Sequence, residues 1–375
     1  MLPLPVLWLC GPPGVGKSTV AWELFQERAG AGYVDTDQLG MCYPATAADP
    51  GRLELQARIL GRVAAGFAAA GAGSLIVSGC VDARRGIHTS YLGGVSLTAL
   101  RLRCDRVELR RRLAARARPG DYWQAALASA AELDHSGLPY PHIDTTSLSP
   151  AEVLAIVRDR WRPSASLWPM PAPALPPSPA PGTAPGAGFG SGSAHGTAPG
   201  SASGEIVFLC GTTAVGKSTA GWELARLSQQ AGHMTGFVDL QQIGFLDGGD
   251  HRLKAANLAG AWAEFRANGA RRLVVNGHLD DDAQFRHYTE VLPAAPITIH
   301  RLHAGPDALR SRFHQRGLGR GPLIAGDELR GRPADVLEAA YEAAVGRTGI
   351  GDLVDTDGHT PAETAQAIAH RIGWP

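Results

Sequence analysis

The chain has 375 residues, length for two or three domains, and 44% of them are apolar; its 35 Lys and Arg balance 35 Asp and Glu. That balance removes any global electrostatic case for a nucleic-acid or membrane partner. Five cysteines without CxxC spacing read as buried apolar residues of a reducing compartment, and no apolar run approaches the roughly eighteen residues of a membrane span, so a cytoplasmic location is expected.

The chain opens on an apolar run, Leu4 to Cys10, read as a first core strand and not as a secretion signal, since no basic leader precedes it. It leads into GPPGVGKST, Gly11 to Thr19, and a second copy, GTTAVGKST, runs from Gly211 to Thr219 behind the strand Ile206 to Cys210. Both fit G-x-x-x-x-G-K-[ST] between a strand and a helical pattern, the context that this motif requires. Glycines there (Gly11, Gly14, Gly16; Gly211, Gly216) let backbone N–H groups turn inward around a phosphate, and the helix N-terminus adds its positive dipole end. Lys17 or Lys217 would reach the β- and γ-phosphates, Thr19 or Thr219 completes the turn into the helix, and Ser18 or Ser218 can hold Mg²⁺. Both halves are therefore expected to bind a nucleoside triphosphate, ATP with Mg²⁺.

Beyond the first loop, strands are expected near 5–10, 32–36, 74–79, 97–103 and 141–144, with helices near 17–29, 51–71, 105–117, 122–135 and 149–162. The strand runs are apolar without strict alternation, as where helices cover both faces of a parallel sheet. Ser149 with Glu152, and Thr360 with Glu363, make capping boxes with proline at the first helical position. From 163 to 204 the chain turns into a Pro/Ala/Gly/Ser tract, expected to be a disordered linker that divides a first domain, 1–162, from a second, 205–375.

The two segments are internal repeats. Trp22-Glu23-Leu24 matches Trp222-Glu223-Leu224, GYVDTDQLG (Gly32 to Gly40) matches GFVDLQQIG (Gly236 to Gly244), and LIVSGCVD (Leu75 to Asp82) matches LVVNGHLD (Leu273 to Asp280). The helix carrying Arg110, Arg112 and Arg116 matches that of Arg310, Arg312 and Arg316, and the late strand with Asp144 and Thr145 matches that with Asp355 and Thr356. Trp22 and Trp222 are expected in the core.

With these motifs in hand, each half resembles the small P-loop kinases, a group including shikimate, gluconate, adenylylsulfate and nucleoside monophosphate kinases and chloramphenicol phosphotransferase. The resemblance implies an α/β fold of two tandem P-loop NTPase domains, each a mainly parallel sheet sandwiched by helices. It also implies transfer of the ATP γ-phosphate to a small hydroxyl- or phosphate-bearing acceptor. Carried onto this sequence, Asp35 would serve the metal and Asp37 would orient or deprotonate the acceptor; the alternative is that Asp37 caps a helix starting at Gln38. In the second copy the pair becomes Asp239 and Gln241, and an amide cannot take a proton at neutral pH, so the first half is the better catalytic candidate; Asp247 or Asp250 could substitute. Strands ending in Ser78 and Asn276 offer no Walker B acid, with Asp82 and Asp280 as second choices.

Arg112 and Arg116 read as arginines of a lid that neutralises charge during transfer, or else as a solvated or RNA-facing basic patch. Tyr43, Arg52 and Arg58, with Arg252, Lys254 and Asn257 in the second copy, are candidate acceptor liners, and the acceptor itself stays unidentified. Rival readings are a nucleotide-sensing regulatory protein whose halves move independently, and a polynucleotide kinase. Whether the halves touch is left open.

Overall fold

The computed structural model describes residues 3–115, 120–162, 204–247, 250–292, 295–321 and 324–374. The tract read as a linker, 163–204, lies outside them except for Gly204, and with it the expected domain boundary. In the first half the strands are β1 (Leu4–Cys10), β2 (Ala31–Asp35), β3 (Cys42–Tyr43), β4 (Ser74–Gly79), β5 (Val95–Arg103) and β6 (His142–Asp144). Its helices are α1 (Lys17–Glu27), α2 (Thr36–Leu39), α3 (Leu53–Ala69), α4 (Arg106–Ala114), α5 (Gly120–His135) and α6 (Pro150–Arg160). The second half continues with β7 (Glu205–Cys210), β8 (Thr235–Asp239), β9 (Phe245–Leu246), β10 (Arg272–Asn276), β11 (Ile297–His303) and β12 (Asp352–Asp355). Its helices are α7 (Lys217–Gln230), α8 (His251–Ala267), α9 (Asp282–Val291), α10 (Pro306–Gly317), α11 (Ala334–Val345) and α12 (Pro361–Ile372).

Two mainly parallel sheets result, ordered β6-β5-β1-β4-β2-β9 and β12-β11-β7-β10-β8-β3. Strand residues alternate between faces, so β1 sends Leu7 and Leu9 into a core of its own half, under α1, α4 and α6, and Val6, Trp8 and Cys10 to the other side. In the second half Val207 and Leu209 likewise enter a private core, and Ile206, Phe208 and Cys210 point the opposite way. The outward residues of both sheets meet in one continuous core that includes α3 and α8. The capping boxes at Ser149 and Thr360 form as their spacing predicts.

The sequence contained no sign of the last strand in each sheet. β9 of the second half pairs antiparallel with β2 of the first (Gly32 opposite Leu246, Tyr33 opposite Phe245), and β3 of the first pairs antiparallel with β8 of the second (Cys42 opposite Gly236, Tyr43 opposite Thr235). The repeat offset that pairs Gly32 with Gly236 also pairs Cys42 with Leu246, so the two exchanges have the same register. Side chains follow their strands. Phe245 joins the private core of the first half, with its ring 4.9 Å from that of Trp22, and Tyr43 stands 5.6 Å from Trp222. The tryptophans are half-buried and lie where the two halves interlock.

Helices α3 and α8 close the same junction. A methyl group on Gly66 would fall 2.1 Å from Asn257 Oδ1, and one on Gly260 would fall 2.9 Å from Arg62 Cβ, so glycine is required for this approach. Glu264, 8% exposed, accepts from Arg58 Nε at 3.1 Å and Arg62 Nε at 2.5 Å across the junction. A carboxylate so enclosed persists because both guanidinium groups face it. These contacts answer the question that the sequence left open, whether the halves touch: each sheet has one strand from the other half, and one core belongs to both.

Residues 1–162 expressed alone would leave β2 with an unpaired edge, the Phe245 site open and half of the shared core in water. We expect such a fragment to form a strand-exchanged dimer or to aggregate in light scattering; a stable, folded monomer would contradict the interlock.

Candidate functional site

Each phosphate loop sits at the carboxyl end of its sheet, between the first strand and the helix that follows it. Gly16 takes φ 105°, and a methyl group there would meet nothing within 4 Å, so this turn holds its backbone open toward the cradle. Gly11 is under the opposite constraint, since a methyl group would fall 2.3 Å from Leu102 O of β5. Gly216 and Gly211 repeat both features, at φ 105° and φ 132°.

Ser18 Oγ donates to Asp35 Oδ2 at 2.8 Å, and Ser218 Oγ donates to Asp239 Oδ2 at 2.9 Å. The two metal candidates of each half are thus adjacent. An oxygen-only pair of one hydroxyl and one carboxylate suits a hard cation such as Mg²⁺, which completes its shell with phosphate and water; no cluster of three or more His, Cys, Asp or Glu able to hold a metal occurs among the described residues. A further polar group lies nearby: Asn276, fully buried and opposite Asp239 in the ladder, has neither amide atom bonded among the described residues. Its counterpart Ser78 is bonded to Asp35 at 3.0 Å and to Tyr33 Oη at 3.0 Å. Burial, then the neighbouring Asp37, pushes the Asp35 carboxyl upward, while the Ser18 hydroxyl pulls it back.

Asp37 does not cap a helix beginning at Gln38. The short helix α2 begins at Thr36, its cap is Asp35, whose Oδ1 accepts from Asp37 N at 3.0 Å, and Asp37 itself stands exposed beyond it. Asp239 accepts from Gln241 N in the same way, at 3.0 Å. Asp247 and Asp250 are committed elsewhere: Asp247 accepts from Gly30 N of the first half at 3.1 Å, and Asp250 caps α8. Asp82 holds the turn through Arg84 N and Arg85 N, and Asp280 binds Arg347 at 3.0 Å.

Lys17, 7% exposed, folds back to donate to Pro12 O at 3.0 Å; Lys217 donates to Gly211 O at 2.9 Å and Thr212 O at 2.7 Å. Beside these lysines lie two residues the sequence had not singled out, Cys80 with its Sγ 3.9 Å from Lys17 Nζ, and the equivalent His278. The His278 imidazole is held down to about 3, first by the charge of Lys217 and then by burial, so it is neutral at pH 7. Only their position two residues past Ser78 and Asn276 in the repeat marks them.

Arg112 departs from the lid reading. Its guanidinium donates to Glu108 Oε1 at 2.6 Å, Val15 O at 3.1 Å, Thr145 Oγ1 at 3.0 Å and Thr145 O at 2.6 Å. It is a clamp that fastens the phosphate loop to α4 and to the segment after β6. Arg312 repeats the bonds to Val215 O at 2.9 Å and Thr356 O at 2.9 Å. Thr145 is buried inside this clamp, Asp144 holds the turn at Thr146, and Arg110 is exposed. Arg116 and Arg118 lie outside the described residues.

The expected acceptor liners separate into groups. Tyr43 is stacked under the Arg52 guanidinium at 4.1 Å, Arg58 faces Glu264, and Asn257 donates to Ile243 O at 2.7 Å, so all four of these side chains serve the junction or its margins. Arg252 is exposed beside a smaller cavity of about 450 Å³ on α8 and α9, and Lys254 lines a cavity of about 930 Å³ in the second half, together with the loop 212–220, Asp239, Gln241, His278 and Arg316. A segment of that wall reaches the other half: Gln242 Nε2 donates to Ala325 O at 2.9 Å, and a methyl group on Gly326 would fall 2.5 Å from Phe245 and 3.4 Å from Trp22.

If Arg112 is a clamp, Arg112→Ala should lower stability by about 2–3 kcal/mol in urea unfolding, and Arg112→Lys should fail to restore it, because an ammonium cannot reproduce the forked donor set. Wild-type stability in either variant would refute the clamp.

Residues 6–135 match a family model described as an AAA domain. No curated protein matches the chain. Among solved structures it is similar to an unliganded sugar kinase from Janibacter sp. HTCC2649, with 20% identity over 42% of this chain and 94% of that one and a TM-score of 0.30. It is also similar to the APS kinase of Mycobacterium tuberculosis in complex with AMPPNP and APS, with 16% identity over 47% of this chain and 99% of that one and a TM-score of 0.30. A third similar structure is shikimate kinase from Bacteroides thetaiotaomicron, with 14% identity over 45% of this chain and 98% of that one and a TM-score of 0.31. The family match covers the first of two glycine-turned phosphate loops, each of which leads from a parallel sheet into a helix, so the first half carries an AAA-type P-loop domain and the second repeats its loop.

Proposed function

We propose that the chain is a cytoplasmic ATP-dependent phosphotransferase, and that its first half moves the γ-phosphoryl group of ATP to a hydroxyl of a small molecule. The observation that carries this reading is the Ser18–Asp35 contact under the loop, with Asp37 exposed on α2 two residues beyond Asp35. Backbone amides of Gly14 to Thr19 and the N-terminus of α1 would hold the phosphates, Lys17 would turn from Pro12 O to the β- and γ-phosphates, and Ser18 and Asp35 would hold Mg²⁺. The ion, when bound, would neutralise phosphate charge. Asp37 would accept the proton of the acceptor hydroxyl as its oxygen bonds to the γ-phosphorus; the bond to the β–γ bridging oxygen breaks and its electron pair leaves with ADP. Arg112 would act through the loop it clamps, and Arg116 remains the candidate for meeting charge directly. Five free cysteines, four of them buried, support the reducing compartment.

A second reading, in which the second half binds nucleotide without transferring phosphate, is favoured by Gln241 standing where the first half has Asp37. Contact of the Ala325–Gly326 wall with Trp22 would let the state of one site bear on the other. A polynucleotide acceptor has less support, because Arg112 is not free to meet a backbone phosphate.

With labelled ATP and a metabolite panel, Lys17→Ala should abolish transfer and nucleotide binding at the first site. Asp37→Asn should keep binding and lower transfer by about two to four orders of magnitude. Undiminished transfer in Asp37→Asn would remove the base assignment, and label on no acceptor would favour the sensor.

At the second site, burial lowers Lys217 to about 8, with Arg316 and Arg347 adding to the effect and Asp239 opposing it. A bound polyphosphate favours the charged amine, so nucleotide binding near pH 9 should take up a proton, and this uptake should fade below pH 7. Calorimetry in two buffers of different ionisation enthalpy reads it directly; binding heats independent of buffer at pH 9 would contradict it.

A further inference from the structure

The two sites differ in charge on the side where the acceptor would lie. The repeat offset that matches Ser78 to Asn276 and Cys80 to His278 also matches Gln56 of α3 to Lys254 of α8, and the packing agrees. A methyl group on Gly40 would fall 2.5 Å from Gln56 Cγ, and one on the equivalent Gly244 would fall 2.5 Å from Lys254 Cγ. The first half therefore carries an exposed Asp37 and a neutral, buried Gln56, where the second has a neutral Gln241 and a cationic Lys254 that line one cavity. Both members of the pair change, and the change moves the site toward positive charge by two units.

Several charged side chains of the cavity are paired among the described residues, whereas Lys254, like Arg320 and Glu328 at the wall, is not. Ser218 and Gln241 N hold Asp239, Asp327 holds Arg316 at 2.9 Å, and Asp280 holds Arg347 at 3.0 Å. Lys254 has no hydrogen-bond or ion-pair partner among the described residues, although its stem lies over Gly244 and its amine lines the cavity. Burial shifts that amine downward while the charges of Asp239 and Asp250 pull it back, and Lys254 is itself one of the charges that hold His278 neutral. A half-buried cation at a cavity, near carboxylates but hydrogen-bonded to none of them, is stabilised by an incoming anion that meets it directly.

We propose that Lys254 anchors an anionic group, a carboxylate or a phosphate, on the small molecule that the second site binds beside its nucleotide. The proposal rests on the reading that the second phosphate loop holds a nucleotide. It assigns the two sites different ligands, one recognised through a hydroxyl at Asp37 and one through a negative charge at Lys254.

The test uses the full chain carrying Lys17→Ala, so that only the second loop takes nucleotide, saturated with magnesium AMP-PNP. Two probe pairs differ in one anionic group: glucuronate against glucose, and ribose 5-phosphate against ribose. We expect the anionic member of at least one pair to bind about tenfold or more tightly than its neutral partner, and the pair that responds identifies carboxylate or phosphate. Lys254→Gln, which installs the residue of the first copy, should erase the preference. Lys254→Arg should retain most of it, and AMP-PNP affinity should be the same in all three proteins. Normal AMP-PNP binding with no anion preference, or a preference that survives Lys254→Gln, overturns the proposal alone. Failure of AMP-PNP to bind the starting chain overturns the nucleotide reading and the proposal together.

Discussion

An outer strand of a parallel sheet exposes a row of backbone donors and acceptors, and those of β2 and β8 are satisfied only by the other half of the chain. Two residues of β9 pair with β2 and two residues of β3 pair with β8; Phe245 enters the core of the first half, Met41 just before β3 packs against that of the second, and Cys42 joins the shared core. Both partners are in one chain, so the exchange costs no translational freedom of a second molecule, and its symmetry follows from the repeat. Neither sheet is complete without the other half.

This interlock determines the setting of both sites. The exchanged strands follow directly after the segments carrying Asp35 and Asp37, or Asp239 and Gln241, so the acidic edge of each site is held between its own sheet and the partner. Trp22, five residues beyond Lys17 on α1, touches both Phe245 and the Ala325–Gly326 segment that walls the second cavity. Packed side chains thus run from α1 beside the first loop to the wall of the second cavity.

Within this shared frame the two sites have diverged. The two phosphate loops and their supports are nearly alike in chemistry: lysine, the serine–carboxylate pair, and the arginine clamp through Val15 and Thr145 or Val215 and Thr356, with Ala214 in place of Gly14. The residues beyond the loops are not. Asp37, Gln56 and Cys80 became Gln241, Lys254 and His278, which exchanges an acidic lining for a basic one while leaving the helices and strands that carry them in place.

Local chemistry made much of this readable in the chain alone. The strands, helices, capping boxes, phosphate loops and repeat are specified by neighbours within a few residues, and the meeting of Ser18 with Asp35 follows from a loop and a strand end that share one edge of the sheet. Long-range packing decided the rest. No pattern in Met41-Cys42-Tyr43 or Phe245-Leu246 shows that two residues will pair with a strand some two hundred positions away, since two residues are too short for periodicity and the partner is chosen by the shared core. The same reason separates Arg112 from the lid it was read into: a guanidinium on a basic helix looks the same in sequence whether it faces solvent or the carbonyls of Val15 and Thr145, and only the fold brings those carbonyls to it.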